Sequence, residues 1–234
     1  MKNLTIPAIL LLAFGVAACE PNGDEPADPQ PEENGLAPAQ QAFWSNLQEL
    51  CGGAHPGTLE DAPEGDETFV GRDLVMHVRE CDENEIKIPF HVGENRSRTW
   101  VITRTDDGLR LKHDHRHEDG VEEELTWYGG DTTDPGTENV QEFPADRETA
   151  DMLPEASTNV WTIEVRPDEE FVYALRREGT DRRFRISFDV TQDVTPVPPA
   201  PWGHENGEAE VAPATPDDQD GEGDEDVDDE EGEA

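Results

Sequence analysis

Trp100-Val101-Ile102-Thr103-Arg104-Thr105-Asp106-Asp107-Gly108-Leu109-Arg110-Leu111-Lys112-His113-Asp114-His115-Arg116-His117 is two alternating runs around a turn-forming triplet. Trp100 and Ile102 share one face, Leu109 and Leu111 share another, and charged residues fill most positions between. A period of two sends successive side chains to opposite faces of a strand. Asp-Gly between two such runs is a hairpin signal. The stretch therefore reads as two antiparallel strands, each with an apolar and a charged face. With Asp107-Gly108 as the turn, Ile102 falls opposite His113, Trp100 opposite His115 and Arg98 opposite His117.

The same pattern extends in both directions. Leu74, Met76 and Val78 alternate within Phe69 to Cys81, and Ile86, Ile88, Phe90 and Val92 alternate without a break. Beyond the hairpin come Leu125 and Trp127, a weaker run from Asn139 to Phe143, and Trp161, Ile163 and Val165. Phe171, Tyr173 and Leu175 follow, then Phe184, Ile186, Phe188 and Val190. Glu118-Asp119-Gly120, Gly129-Gly130, Pro167-Asp168 and Gly179-Thr180-Asp181 read as the turns between them. The prediction is a mainly β domain of about 9–10 strands, folded as an antiparallel up-and-down barrel or a strongly curved sheet. A two-sheet β-sandwich is the alternative. One short helix precedes the strands: Phe43, Leu47 and Leu50 fall at helical spacing from Ala39 to Leu50, and Gly52-Gly53 stops the run. A short helix followed by a meander resembles, in architecture, the calycin group that includes lipocalins and fatty-acid-binding proteins. No Gly-x-Trp stands near the start of the first strand, so the resemblance extends to architecture alone.

The N-terminus speaks to location. Lys2 precedes an apolar run from Leu4 to Phe14, and Val16-Ala17-Ala18-Cys19 follows. The run is too short to cross a bilayer core, which takes about 20 apolar residues. The order of charged start, apolar middle and small residues before a cysteine resembles the signal of bacterial lipoproteins. That resemblance implies removal of residues 1–18, palmitate-type lipid on Cys19 and anchoring in the bacterial cell envelope. Glu20 stands where an aspartate would imply retention at the inner membrane, so the outer membrane is implied.

The chain carries 57 acidic and 17 basic residues, a net charge of −40. From Glu205 to Glu233 there are fifteen acidic residues and no Lys or Arg; from Glu20 to Ala37 there are six and none. The body keeps about −20. A field of that sign repels nucleic acid and attracts cations and basic proteins. Residues 19–38, rich in Pro, Glu and Asp, read as a disordered tether, and 39–195 as the β domain. Residues 196–234 read as a Pro-rich spacer and a disordered acidic tail. Asp217 to Asp229 could hold calcium weakly through carboxylate oxygens. Cys51 and Cys81, left as a pair in an exported chain, read as a disulfide.

One constellation carries chemistry. His113, His115 and His117 fall on the face of Leu109 and Leu111, so parity sends three imidazoles inward. Trp100, Ile102 and Trp127 are the candidate pocket residues beside them. Two adjacent histidines could share a zinc ion if Glu122 or Glu124 supplied a third ligand. Leu125 and Trp127 claim the same face in the alternative register. The cluster thus reads as a packed hydrogen-bonded group, as a ligand or metal site, or as the centre of a hydrolase using metal-activated water. Catalytic fingerprints such as Gly-x-Ser-x-Gly, His-Glu-x-x-His or a phosphate loop are absent, and no catalytic residue is assigned. The functional expectation is a lipid-anchored envelope protein that binds a small ligand or a basic protein partner through its β domain. Metal binding by the histidine strand is the alternative. Oligomeric state leaves no mark in the sequence.

Overall fold

The computed structural model describes residues 35–204. The expected signal, lipidated Cys19, most of the tether and the tail from residue 205 lie outside the described residues, as does the calcium reading at Asp217 to Asp229.

All the strands belong to one antiparallel sheet. They are β1 (Ala54–Asp61), β2 (Leu74–His77), β3 (Glu80–Cys81), β4 (Glu85–Val92), β5 (Asn95–Thr105) and β6 (Gly108–His115), then β7 (Tyr128–Asp131), β8 (Val140–Pro144), β9 (Asn159–Arg166), β10 (Glu170–Arg177) and β11 (Arg183–Asp189). The order across the sheet is β7-β6-β5-β4-β2-β1-β11-β10-β9-β8, with β3 added on β4. This is an up-and-down meander in which the first strand pairs with the last. Its two ends, β7 and β8, meet at a seam where the Asp146 amide donates to the Gly129 carbonyl at 3.0 Å. A side chain on Gly130 would put its Cβ 1.8 Å from the Pro144 carbonyl oxygen, so the backbones approach closely only because Gly130 has none. The sheet is a nearly closed barrel and not the two-sheet alternative.

Its interior is apolar because the inward residues of each strand are the alternating ones. Ile86, Ile88, Ile102, Leu111, Ile163 and Ile186 are fully buried. Trp100 is at the centre: Phe90 stacks on it at 4.8 Å between ring centroids and Tyr173 lies at 4.2 Å. One end of the barrel is plugged by α1 (Pro38–Glu49). Pro38 begins this helix with its φ already set, and the Gln40 side chain accepts from the Ala37 amide at 3.2 Å. Phe43, Trp44 and Leu47 bury completely in the core. Leu36 also packs there, so the body begins inside the expected tether. Cys51, just past α1, is bonded to Cys81 on β3, 30 residues on, which ties the plug to the barrel wall. Closing a loop of that size stabilises the fold by about 3–4 kcal/mol in the chain-entropy account. No described helix is long and apolar enough to cross a membrane.

Three expectations are corrected by the register. The β5–β6 turn is Asp106-Asp107, with Thr105 paired to Gly108, so the whole hairpin slides by two residues. Trp100 then faces His113 and Arg98 faces His115. A slide of two keeps parity, which is why the inward faces were still assigned correctly. The run at Leu125 and Trp127 is not a strand; β7 starts at Tyr128 and includes the Gly129-Gly130 pair expected as a turn. Glycine is required there: a Cβ on Gly129 would lie 1.9 Å from the Leu111 carbonyl oxygen. The proline-rich segment expected as a free spacer runs along the outer wall instead. Arg96 donates to the Ala200 carbonyl at 2.8 Å, and His204 Nε2 lies 2.8 Å from the Asp114 carboxylate. Asp114, on the outer face of β6, is 1 % exposed beneath this strap.

Candidate functional site

The end of the barrel opposite α1 is open. Four connections surround it: residues 62–73, 116–127, 145–158 and 178–182. Between them lies a cavity of about 360 Å³. Its walls are aromatic, from Phe90, Trp100, Tyr128, Trp161, Tyr173 and Phe184. Its rim is polar. Arg98 and Arg177 reach it because each continues an inward alternation by one more step: Ile102-Trp100-Arg98 on β5 and Phe171-Tyr173-Leu175-Arg177 on β10. Phe69, from the 62–73 connection, packs between Phe90 and Phe184 at 5.6 Å from each ring and forms part of the wall.

His113 and His115 are on the inward face of β6 and line this cavity. His113 is buried, with Nδ1 3.0 Å from the Tyr128 carbonyl oxygen and Nε2 2.7 Å from the Tyr173 hydroxyl. A carbonyl can only accept, so Nδ1 carries the proton and Nε2 accepts from the Tyr173 O–H. Both ring nitrogens are thereby used, and none is free for a metal. Burial, reinforced by His115, pushes the His113 pKa down to about 3, so the ring is neutral. The Tyr128 ring stacks on His113 at 4.6 Å, and its hydroxyl shares a 3.0 Å hydrogen bond with His115 Nε2. Burial and the nearby Arg98 charge bring the His115 pKa down to about 4. Burial pushes Tyr128 up to about 12 and Tyr173 well above the ordinary phenol range. Burial thus keeps both inward imidazoles neutral at pH 7. Arrayed this way, the two histidines and two tyrosines form one uncharged, hydrogen-bonded wall.

The remaining candidates do not join them. β6 ends at His115, so His117 leaves the strand and is exposed. Its amide instead donates to the Val121 carbonyl at 2.8 Å, which starts the 116–127 connection. Glu122 is outside the barrel, where it accepts from Arg116 at 3.2 Å and from Trp127 Nε1 at 2.9 Å. Glu124 is exposed. Trp127, held at φ +59° with its indole on Glu122, faces away from the cavity. Ile102 pairs with Leu111 and is buried below the cavity floor. Of the pocket candidates only Trp100 lines the cavity, and Leu125 adds an edge at the mouth while remaining 46 % exposed. Among the described residues, no three His, Cys, Asp or Glu side chains are placed to share an ion.

Comparison with protein-family models, curated proteins and solved structures finds no match for this chain.

Proposed function

We propose that the chain is a lipid-anchored envelope protein whose barrel holds a small ligand at its open end. The observation that carries this reading is the aromatic cavity of about 360 Å³ at that end. Pockets that enclose small molecules begin at about 300 Å³ and combine apolar walls with a few fixed polar groups. Trp100, Trp161 and Phe184 supply the walls, and His115 and the Tyr128 hydroxyl supply fixed polar groups beside them. The location comes from the lipoprotein-like order of Val16 to Cys19. Neutral His113, with both nitrogens engaged, supports a binding wall and not a base.

The test is titration of the full chain with N-phenyl-1-naphthylamine, a neutral apolar fluorophore of suitable size. Saturable binding with a Kd of about 1–10 μM is expected, an affinity of roughly 7–8 kcal/mol. Ala156→Trp, which sets an indole in the cavity, is expected to weaken it at least tenfold while the melting curve stays cooperative. Binding that is absent, or unchanged in that variant, contradicts the reading.

A further inference from the structure

The charges around the cavity are matched differently from those on the outer wall. The chain has a large excess of carboxylates, and several arginines on the outer wall take them: Arg110 holds Asp131 at 2.6 Å, Arg183 holds Asp61 at 2.6 Å and Arg185 holds Glu60 at 2.6 Å, while Arg96 is held by the Ala200 carbonyl of the strap. Arg176 and Arg177 make the contrast within one strand. Outward Arg176 grips Glu142 at 2.5 Å. Inward Arg177 is half-buried and holds only the Asn159 amide oxygen, at 2.8 Å. Arg98, also inward and half-buried, donates through Nη1 to Asn95 Oδ1 at 2.9 Å and Ser97 Oγ at 3.3 Å. Among the described residues neither has a carboxylate within 4.0 Å, and the same holds for Arg182 at the rim. Three carboxylates do border the cavity, Asp66, Glu123 and Glu155. Asp66 accepts from the Thr68 amide at 2.8 Å, and Glu123 faces His115 at 3.8 Å. None is paired to an arginine.

Guanidinium groups lose hydration on partial burial and regain it through charge-assisted bonds to an anion. Two that face one aromatic cavity, without taking any of the carboxylates in reach of the chain, leave their charge available to what enters it. We infer that the ligand of this cavity is a planar organic anion, its apolar body against Trp100, Trp161 and Tyr173 and its carboxylate, sulfonate or phosphate on Arg98 and Arg177. This rests on the cavity being a ligand site. The flat aromatic walls select the planar body. The arginines, with no matched partner, select the negative group, and they do so against the repulsive field of the rest of the chain.

The experiment compares two probes that differ by one charged group: 8-anilino-1-naphthalenesulfonate and N-phenyl-1-naphthylamine, titrated into the full chain. The sulfonate is expected to bind at least tenfold more tightly than its neutral analogue at low ionic strength. Its affinity is expected to fall in about 0.5 M salt while that of the neutral probe holds, because salt screens the charge and not the apolar contact. Arg98→Gln and Arg177→Gln, singly and together, are expected to remove the preference and leave the neutral probe within about twofold. Retained neutral-probe binding also reports that each variant is folded. A sulfonate that binds no better than the neutral probe overturns the anion inference and leaves the cavity reading standing. A preference that survives both substitutions overturns it as well. If neither probe binds, both readings fail together.

Discussion

The unfolding free energy of the full chain is expected to collapse between pH 6.5 and pH 4. His91, His113 and His115 are buried with pKa values pushed down to about 4, about 3 and about 4, each chiefly by burial. His77 is lowered for the same reason. The native state therefore holds these rings neutral, while the unfolded chain protonates them near 6.5. Their stabilisation is whole above pH 6.5, and it drains as pH falls until the native values are reached. One such ring contributes about 3 kcal/mol, and a domain has roughly 5–15 kcal/mol in all. Three such rings draining together remove about 9 kcal/mol, a large part of what a domain has. His91 illustrates the cause: it points outward from β4, with a buried Nε2 that has no hydrogen-bond partner. Carboxylates held low, such as Asp114 beside His204 and Arg116, lose their contribution only at still lower pH. Urea unfolding at a series of pH values measures the slope, about 1.4 kcal/mol per pH unit for each proton taken up. A slope worth about three protons near pH 5.5 is expected, falling by about one in His91→Gln. A stability that is flat from pH 7 to pH 5 would falsify the account of the buried histidines.

Trp100→Ala is expected to cost about 3–5 kcal/mol, the range for removing a buried large aromatic. Trp100 touches the rings of Phe90, Phe171, Tyr173 and Phe188, which come from three other strands. Its loss leaves a void that the barrel cannot collapse to fill, because the strands that meet there, β4, β5, β10 and β11, are each paired on both sides. Ile102→Val, one step further in on the same strand, removes a single methylene and is expected to cost about 1 kcal/mol. Denaturant midpoints for the two variants separate the cases. A loss below about 1 kcal/mol for Trp100→Ala would mean that the two halves of the barrel do not pack through this residue.

Much of this barrel is legible in the chain because alternation and burial coincide. Ile86, Ile88, Phe90 and Val92 alternate and are all buried, as are Ile163 and Val165, and Phe184, Ile186 and Phe188. β1 escapes such a reading, since Ala54-His55-Pro56-Gly57-Thr58 offers no alternation. Gly57 is there for a tertiary reason: a Cβ would lie 2.6 Å from the Phe188 ring across the β1–β11 pair. β7 escapes for the same reason: Gly129 and Gly130 look like a turn, but a Cβ on either would run into backbone, at Leu111 on β6 and at Pro144 across the seam. The site was half legible. Parity found His113, His115 and Trp100 but ran one step too far at His117, because nothing local marks where β6 ends. It stopped one step short at Arg177, where continuing the β10 alternation past Leu175 would have reached the rim.

The most direct test of the barrel as a ligand-holding module is an isotope-filtered nuclear Overhauser spectrum of the full chain with N-phenyl-1-naphthylamine bound. The account predicts contacts from the probe to the ring protons of Trp100, Trp161, Tyr173 and Phe184. Contacts confined to the strap around Trp202, to α1 or to the outer wall would contradict it.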